Sequence, residues 1–446
     1  MKKTLRILLA AMLAMTLGLG FAAPAHAETD PTEVNTAAIT KILKVPVGTD
    51  YPNMGFTFSV APVSYNDSTA NLAIMPPIGN AGVVTISFNG SAETLEATVD
   101  GVSSYYLEST ELFGAINWPN AGKYEYTIKE TGSTYVISAG STQEAMTLSQ
   151  AEYRVTVYVR EYTDADAQAG KIPAGKTVGS RYIYAIGMVE VKKDDGSPGS
   201  GTKGDPSPGG GDSSALYSGM AFTNLYVKSG GGGGPDPDPD PNNAALVVSK
   251  SVSGDLGSKV WPFDFSMTIT VPTLIPAFVK SHYAAYLMEG ATVLDPTGTA
   301  SSTLIGTDLQ GRKYLMFSST TATGFKLTHG QSLVFMDAPV GTTYVVSESG
   351  ESGYITTARV TSNGFQGAVA TGAAGAGLSI PDGSVYTSAQ LIGEATNLAA
   401  FNNAYEDATP AGIFMSNLPY VGFILLALGC LAVFIVVKRK KRQVEN

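Results

Sequence analysis

The chain has 446 residues, a formal net charge of −10, 15% charged residues, 50 glycines, three histidines and one cysteine. That length holds two domains of somewhat under ~200 residues each. The acidic balance, with a basic patch only in the C-terminal tail, excludes nucleic acid as a partner. His26, His282, His329 and Cys430 are too scattered for a metal or thiol centre, so no cofactor is expected.

In chain order, Lys2, Lys3 and Arg6 precede the apolar Ile7 to Leu19, and Ala25-His26-Ala27 offers small residues before Glu28. Residues 1–27 read as a secretion signal. The exported part has no cysteine before the C-terminal apolar run, so any covalent reinforcement must come from chemistry other than disulfides.

Residues 34–228 form a first unit, with alternating or apolar strands around Lys41, at Phe56 to Val60, Val83 to Phe88, Thr94 to Val99, Tyr124 to Lys129, Tyr153 to Arg160 and Tyr182 to Val191, and a closing strand with Asn224. Asp194 to Ser214, rich in Gly, Pro, Ser and Asp, reads as a solvated loop. Residues 229–243 are a linker, glycines followed by alternating Pro and Asp. The second part favours extended polyproline and is expected to hold the domains apart by roughly 20 Å. It reads as a spacer and not as a calcium site of Asp236, Asp238 and Asp240, because alternate prolines keep the chain too straight to wrap an ion.

A second unit spans 244–407, with strands at Leu246 to Val252, Phe263 to Val271, Lys313 to Phe317, Leu333 to Met336, Thr343 to Glu348 and a last one leading to Asn403; Gly367 to Gly377 reads as a loop. The class is all-β, with short strands between turn clusters as in a sandwich. Residues 408–446 hold Thr409-Pro410-Ala411-Gly412, an uncharged apolar run from Tyr420 to Val437 and the basic Lys438 to Arg442. This pattern matches a cell-wall sorting signal with a transmembrane helix.

One arrangement occurs twice. Period-2 geometry puts Tyr126, Ile128 and Glu130 on one face of a strand, and Tyr344, Val346 and Glu348 on one face of another. A lone inward carboxylate is costly, so two copies imply a job. Each glutamate lies between a lysine in its unit's first strand and an asparagine in its last: Lys41, Glu130, Asn224, then Lys250, Glu348, Asn403. These are the ingredients of an intramolecular isopeptide bond, in which the lysine amine attacks the asparagine amide and ammonia leaves. Burial would lower the lysine pKa and raise that of the glutamate, whose acid form could polarise the amide carbonyl and carry the proton to ammonia. Lys44 competes with Lys41 and Asn402 with Asn403, and period 2 does not settle the first choice.

The repeated trio, with Pro410-Ala411-Gly412 before an apolar span and basic tail, resembles the pilin isopeptide-linkage family of Gram-positive bacteria, in the manner of a streptococcal backbone pilin. The resemblance favours Lys41 through the family's first strand. It implies two Ig-like (CnaB-like) β-sandwich domains in tandem, each locked by a Lys-Asn bond. It further implies a non-enzymatic structural surface protein handled by a sortase transpeptidase, joined to peptidoglycan or other pilin subunits, and held in the membrane by its C-terminal helix before processing. An adhesin reading, with Asp194 to Ser214 or Gly367 to Gly377 binding a host surface ligand, is the alternative. Two departures stand out. Ala411 occupies the place where a sorting signal usually has threonine. Leu216 to Met220 holds no lysine where that family carries its subunit-joining one, which leaves Lys192, Lys193 or Lys203 for the role.

Overall fold

Each half of the chain is laid around an apolar first strand. The computed structural model describes residues 35–137, 144–210, 216–230, 238–272, 280–300, 304–319, 321–405 and 410–444. The first half comprises β1 (Thr40–Pro46), β2 (Met54–Tyr65), β3 (Val83–Phe88), β4 (Thr94–Val99), β5 (Val102–Glu108), β6 (Gly122–Ser133), β7 (Glu144–Thr147), β8 (Glu152–Glu161), β9 (Arg181–Lys192), β10 (Lys203–Gly204) and β11 (Ala221–Lys228). One sheet has the order β4, β5, β1, β11, β7, and the other β10, β9, β8, β6, β2, β3. Leu43 and Val45 from the first sheet meet Phe56, Phe58, Tyr126 and Ile128 from the second in one core.

The second half repeats the plan with β12 (Leu246–Ser253), β13 (Phe263–Thr270), β14 (Tyr283–Glu289), β15 (Thr292–Val293), β16 (Ile305–Thr307), β17 (Lys313–Phe317), β18 (Thr323–Leu327), β19 (Gln331–Phe335), β20 (Thr343–Glu348), β21 (Tyr354–Ser362), β22 (Phe365–Thr371), β23 (Leu378–Ile380), β24 (Gln390–Leu391) and β25 (Leu398–Tyr405). The larger sheet runs β16, β17, β14, β19, β12, β25, β21, β22, with β15 on β14; the smaller runs β18, β13, β20, β23, with β24 on β20. Val248, Phe263, Phe265, Tyr344 and Val346 share its core. In both halves the first strand pairs parallel with the last and antiparallel with its other neighbour.

Two sequence expectations are corrected here. The stretch from Gly367 is not loop throughout: β22 pairs with β21 as far as Thr371. Its side chains are mostly exposed, so backbone pairing alone sustains it and small residues suffice. The linker does not hold the domains apart. Lys228 Nζ and the Asp50 backbone N–H both donate to Glu394, at 2.6 and 2.8 Å. Beyond β11, Ser229 bridges Pro339, and Gly230 N–H donates to Ala338 O at 3.0 Å. From Asp238 on, the chain lies against the second domain, where Asp238 pairs with Arg312 at 2.7 Å and Asp240 accepts from the Asn242 N–H at 2.9 Å. Asp236 lies outside the described residues.

The described chain ends in a helix over Pro410–Val444, 35 residues long. Phe423, Leu426, Leu431 and Phe434 stand exposed on it. Among the described residues no helix is long and apolar enough to cross a membrane. Residues 1–27, expected from the sequence to be a secretion signal, lie outside them.

Candidate functional site: two buried lysine, glutamate and asparagine clusters

Strand register assembles the same cluster twice. Lys41 lies opposite Phe222 and Leu43 opposite Asn224; Lys250 lies opposite Phe401 and Val252 opposite Asn403. Lysine and asparagine therefore share a face of adjacent parallel strands with the same two-residue stagger. The glutamate comes from the facing sheet, Glu130 opposite Phe58 and Glu348 opposite Phe265.

In the first cluster Lys41 Nζ donates to Glu130 Oε2 and Asn224 Nδ2 donates to Glu130 Oε1, both at 2.7 Å. In the second, Lys250 Nζ and Asn403 Nδ2 both donate to Glu348 Oε1 at 2.6 Å. The lysine and glutamate side chains of both pairs are 0% exposed. The competing residues are placed elsewhere. Lys44 is half-buried with no partner in the cluster, and Asn402 donates to Ser253 Oγ at 3.1 Å.

Aromatic rings complete each cluster. Lys41 Nζ lies 4.5 Å from the Phe56 ring centre and Lys250 Nζ 4.2 Å from that of Phe263. Phe58 packs on Phe222 at 5.0 Å and Phe265 on Phe401 at 5.3 Å. Sequence reasoning places Phe222 and Phe401 around the lysines but misses Phe56, Phe58, Phe263 and Phe265 as parts of a site. The signal was there, since both second strands carry Phe-x-Phe in the inward period, at Phe56 and Phe58 and at Phe263 and Phe265.

Burial dominates the electrostatics. It lowers the Lys41 and Lys250 ammonium groups to about 8, although the neighbouring glutamate pulls the other way. It raises Glu130 and Glu348, again against the attraction of the lysine. Both shifts favour moving a proton from nitrogen to carboxylate.

The glutamates face the amide nitrogen and not the carbonyl, contrary to the expectation from sequence. In the first cluster Asn224 Oδ1 instead accepts the Ser149 backbone N–H at 2.7 Å. Because that N–H can only donate, it fixes which amide atom is oxygen. In the second, Asn403 Oδ1 and Glu348 Oε2 are buried with no hydrogen-bond partner among the described residues.

Residues 37–181 match the family model described as the Spy0128-like isopeptide containing domain. This segment belongs to that isopeptide family. Within the isopeptide domain the match takes in Lys41 and Glu130 and stops short of Asn224. Residues 244–376 match a domain of unknown function, DUF7601, which takes in Lys250 and Glu348. No curated protein matches the chain. Among solved structures, a major pilin from Streptococcus pyogenes is 17% identical, with 83% of this chain and 98% of that one covered and a TM-score of 0.29. The T-13 major pilin of Streptococcus pyogenes is 14% identical, with 84% and 98% covered and a TM-score of 0.27. A pilus-presented adhesin is 11% identical, with 84% and 100% covered and a TM-score of 0.21.

Around the isopeptide domain the other candidate residues are dispersed. Lys192 is half-exposed and lies 3.4 Å from Glu152, while Lys193 and Lys203 are exposed. Pro410, Ala411 and Gly412 form the start of the last helix, and Thr409 lies outside the described residues. Among the described residues no group of three or more His, Cys, Asp and Glu is placed to hold a metal.

Proposed function

We propose that the chain is a structural surface protein, a pilin or wall-anchored stalk. Each of its domains closes its own isopeptide bond, Lys41 to Asn224 through Glu130 and Lys250 to Asn403 through Glu348. The observation that carries this reading is the repeat of one buried cluster, a lysine and an asparagine with matched stagger on the first and last strands and a glutamate of the facing sheet joined to both by hydrogen bonds of 2.6 to 2.7 Å, in both domains.

An amine attacks only when neutral, and a buried carboxylate beside it can take its proton. The neutral Nζ then adds to the amide carbon. The carboxyl accepts a proton from Nζ and returns one to Nδ2, which leaves as ammonia. Amides and amines barely react in water, so the fold must supply effective molarities on the order of 10⁵ M. The bonds would close loops of about 180 and about 150 residues, each contributing roughly 5 kcal/mol by loss of unfolded-state entropy.

Residues 1–27 would direct export, and Tyr420 to Val437 with the basic tail would halt it in the membrane. The uncovered apolar faces of the last helix support that role. A sortase would take the Ala411 carbonyl as an acyl-enzyme, release Gly412 onward, and pass the chain to peptidoglycan or to a further subunit. Lys192, Lys193 and Lys203 are exposed enough to serve as acceptors in assembly. The deciding test is the intact mass of the purified chain, expected two ammonias below the mass of its sequence. A mass equal to that of the sequence would end the proposal.

A further inference from the structure

The two clusters differ at the carbonyl oxygen, the atom on which negative charge collects when an amine adds to an amide. Asn224 Oδ1 faces the Ser149 N–H, whereas among the described residues nothing donates to Asn403 Oδ1. Ser149 lies between β7 and β8, in a corner that Asp194 fastens to the closing strand. The Asp194 carboxylate accepts from Ser149 Oγ at 2.5 Å and from the Thr223 N–H at 2.9 Å, next to Asn224 itself. Asp194 O also accepts the Gln150 N–H at 2.9 Å. One side chain thus sets the distance between the donor and the amide it serves.

We propose that the Ser149 backbone N–H is an oxyanion donor for formation of the first isopeptide bond, with Asp194 as its positioning residue, and that the second cluster works without such a donor. The inference rests on the isopeptide reading above. The Nζ to Cγ bond forms while Oδ1 takes up the electron pair of the carbonyl, held by the Ser149 N–H. The carbonyl then re-forms and the Cγ to Nδ2 bond breaks. The proton lost by Nζ reaches Nδ2 through Glu130, so that one lysine and one asparagine yield one secondary amide and one ammonia. Glu130 has only the proton transfer to perform, because the carbonyl is polarised from the other side. In the second cluster the described residues put no donor at the corresponding oxygen.

The consequence is a difference in rate that can be read separately for each bond, by digesting the full chain and weighing the two cross-linked peptides at successive times after synthesis. Ser149→Pro removes the N–H, and loss of one oxyanion donor costs about 10²- to 10³-fold in rate. The first bond should slow by that order while the second keeps its wild-type rate. Asp194→Ala should slow the first bond about tenfold, taken as part of the cost of losing the donor outright. Asp194→Asn, which keeps an acceptor oxygen, and Ser149→Ala, which keeps the N–H, should stay much closer to wild type. If Ser149→Pro prevents the first domain from folding, Asp194→Ala decides, since it leaves every backbone donor in place. A first bond that forms at the wild-type rate in Asp194→Ala, or equally slowly in Asp194→Ala and Asp194→Asn, would overturn the proposal. Failure of the underlying reading looks different, with neither cross-linked peptide present in the wild-type chain.

Discussion

At the scale of the residue, each cluster poses the problem of a lysine and a glutamate sealed from water among aromatic rings, hydrogen-bonded to each other and to one asparagine. Removing the acid exposes how much depends on it. Glu348→Ala should leave the second bond unmade and Lys250 buried without a counter-charge. The expected cost is about 3 to 5 kcal/mol beyond the lost cross-link, read as a fall in the urea midpoint. The deficit against the sequence mass should shrink from two ammonias to one, as it should for Glu130→Ala.

The pH dependence follows from where the protons sit. The reactive pair, neutral amine beside neutral acid, carries the same number of protons as the ion pair. The rate should therefore be level between the raised carboxyl pKa and the lowered amine pKa, about 8 for either lysine. Below that window a second proton keeps the amine charged; above it the acid is missing. A time course of cross-linked chain across that range should give a plateau with a fall on both sides, and a rate that climbs steadily through pH 8 would show that the acid has no part.

At the scale of the element, the Phe-x-Phe of the second strand has two effects on the lysine. Its bulk excludes water, which favours the neutral amine, while its ring face attracts the ammonium, which opposes it. The two separate on substitution. Phe263→Ala should admit water, destabilise the domain by about 3 to 5 kcal/mol and slow the second bond. Phe263→Leu keeps the bulk without the ring, and the bond should form at least as fast as in wild type. Peptide mass at timed intervals reads both.

Elements also show what a sequence can carry. The trios were legible because order and alternation survive in one dimension, and Glu130 and Glu348 both point inward as the alternation requires. The choice between Lys41 and Lys44 was not, since both sit in an apolar strand and only the facing sheet distinguishes them. β5, with Ser103, Ser104 and Glu108 among its residues, hides because it leans on β1 for pairing and stays half-exposed. The Ser149 donor left no trace at all, being a backbone N–H that any residue except proline would supply.

At the scale of the whole molecule, the linker misled because composition reports how stiff a segment is, not where its ends are tied. Glu394 ties the start of the segment through Lys228, and the two domains close up at Gly341, whose φ of +88 and closeness to Pro46, 2.7 Å from where a Cβ would be, leave no room for a side chain. Gly341→Ala combines a left-handed backbone with a collision against the other domain, and should loosen the junction. Glu394→Ala removes two contacts from a partly exposed site and should cost about 1 kcal/mol or less. For both variants small-angle scattering should report a broader spread of shapes at unchanged domain folding, and profiles identical to wild type would show that neither residue sets the junction.

The parallel pairing of first and last strands has a mechanical meaning. A chain that enters along β1 and leaves along its parallel neighbour β11 is loaded in shear when its ends are drawn apart, and the two side chains that would be bonded bridge that pair. Tension would run from Lys41 across to Asn224, on through the junction to Lys250, and across again to Asn403. The chain between Lys41 and Asn224, and between Lys250 and Asn403, would hang slack, while the junction carries the load. A molecule stretched in this way should rise to the rupture force with no domain-opening step. The Glu130→Ala chain should give one, lengthening by on the order of 600 Å as about 180 residues are released at ~3.4 Å each.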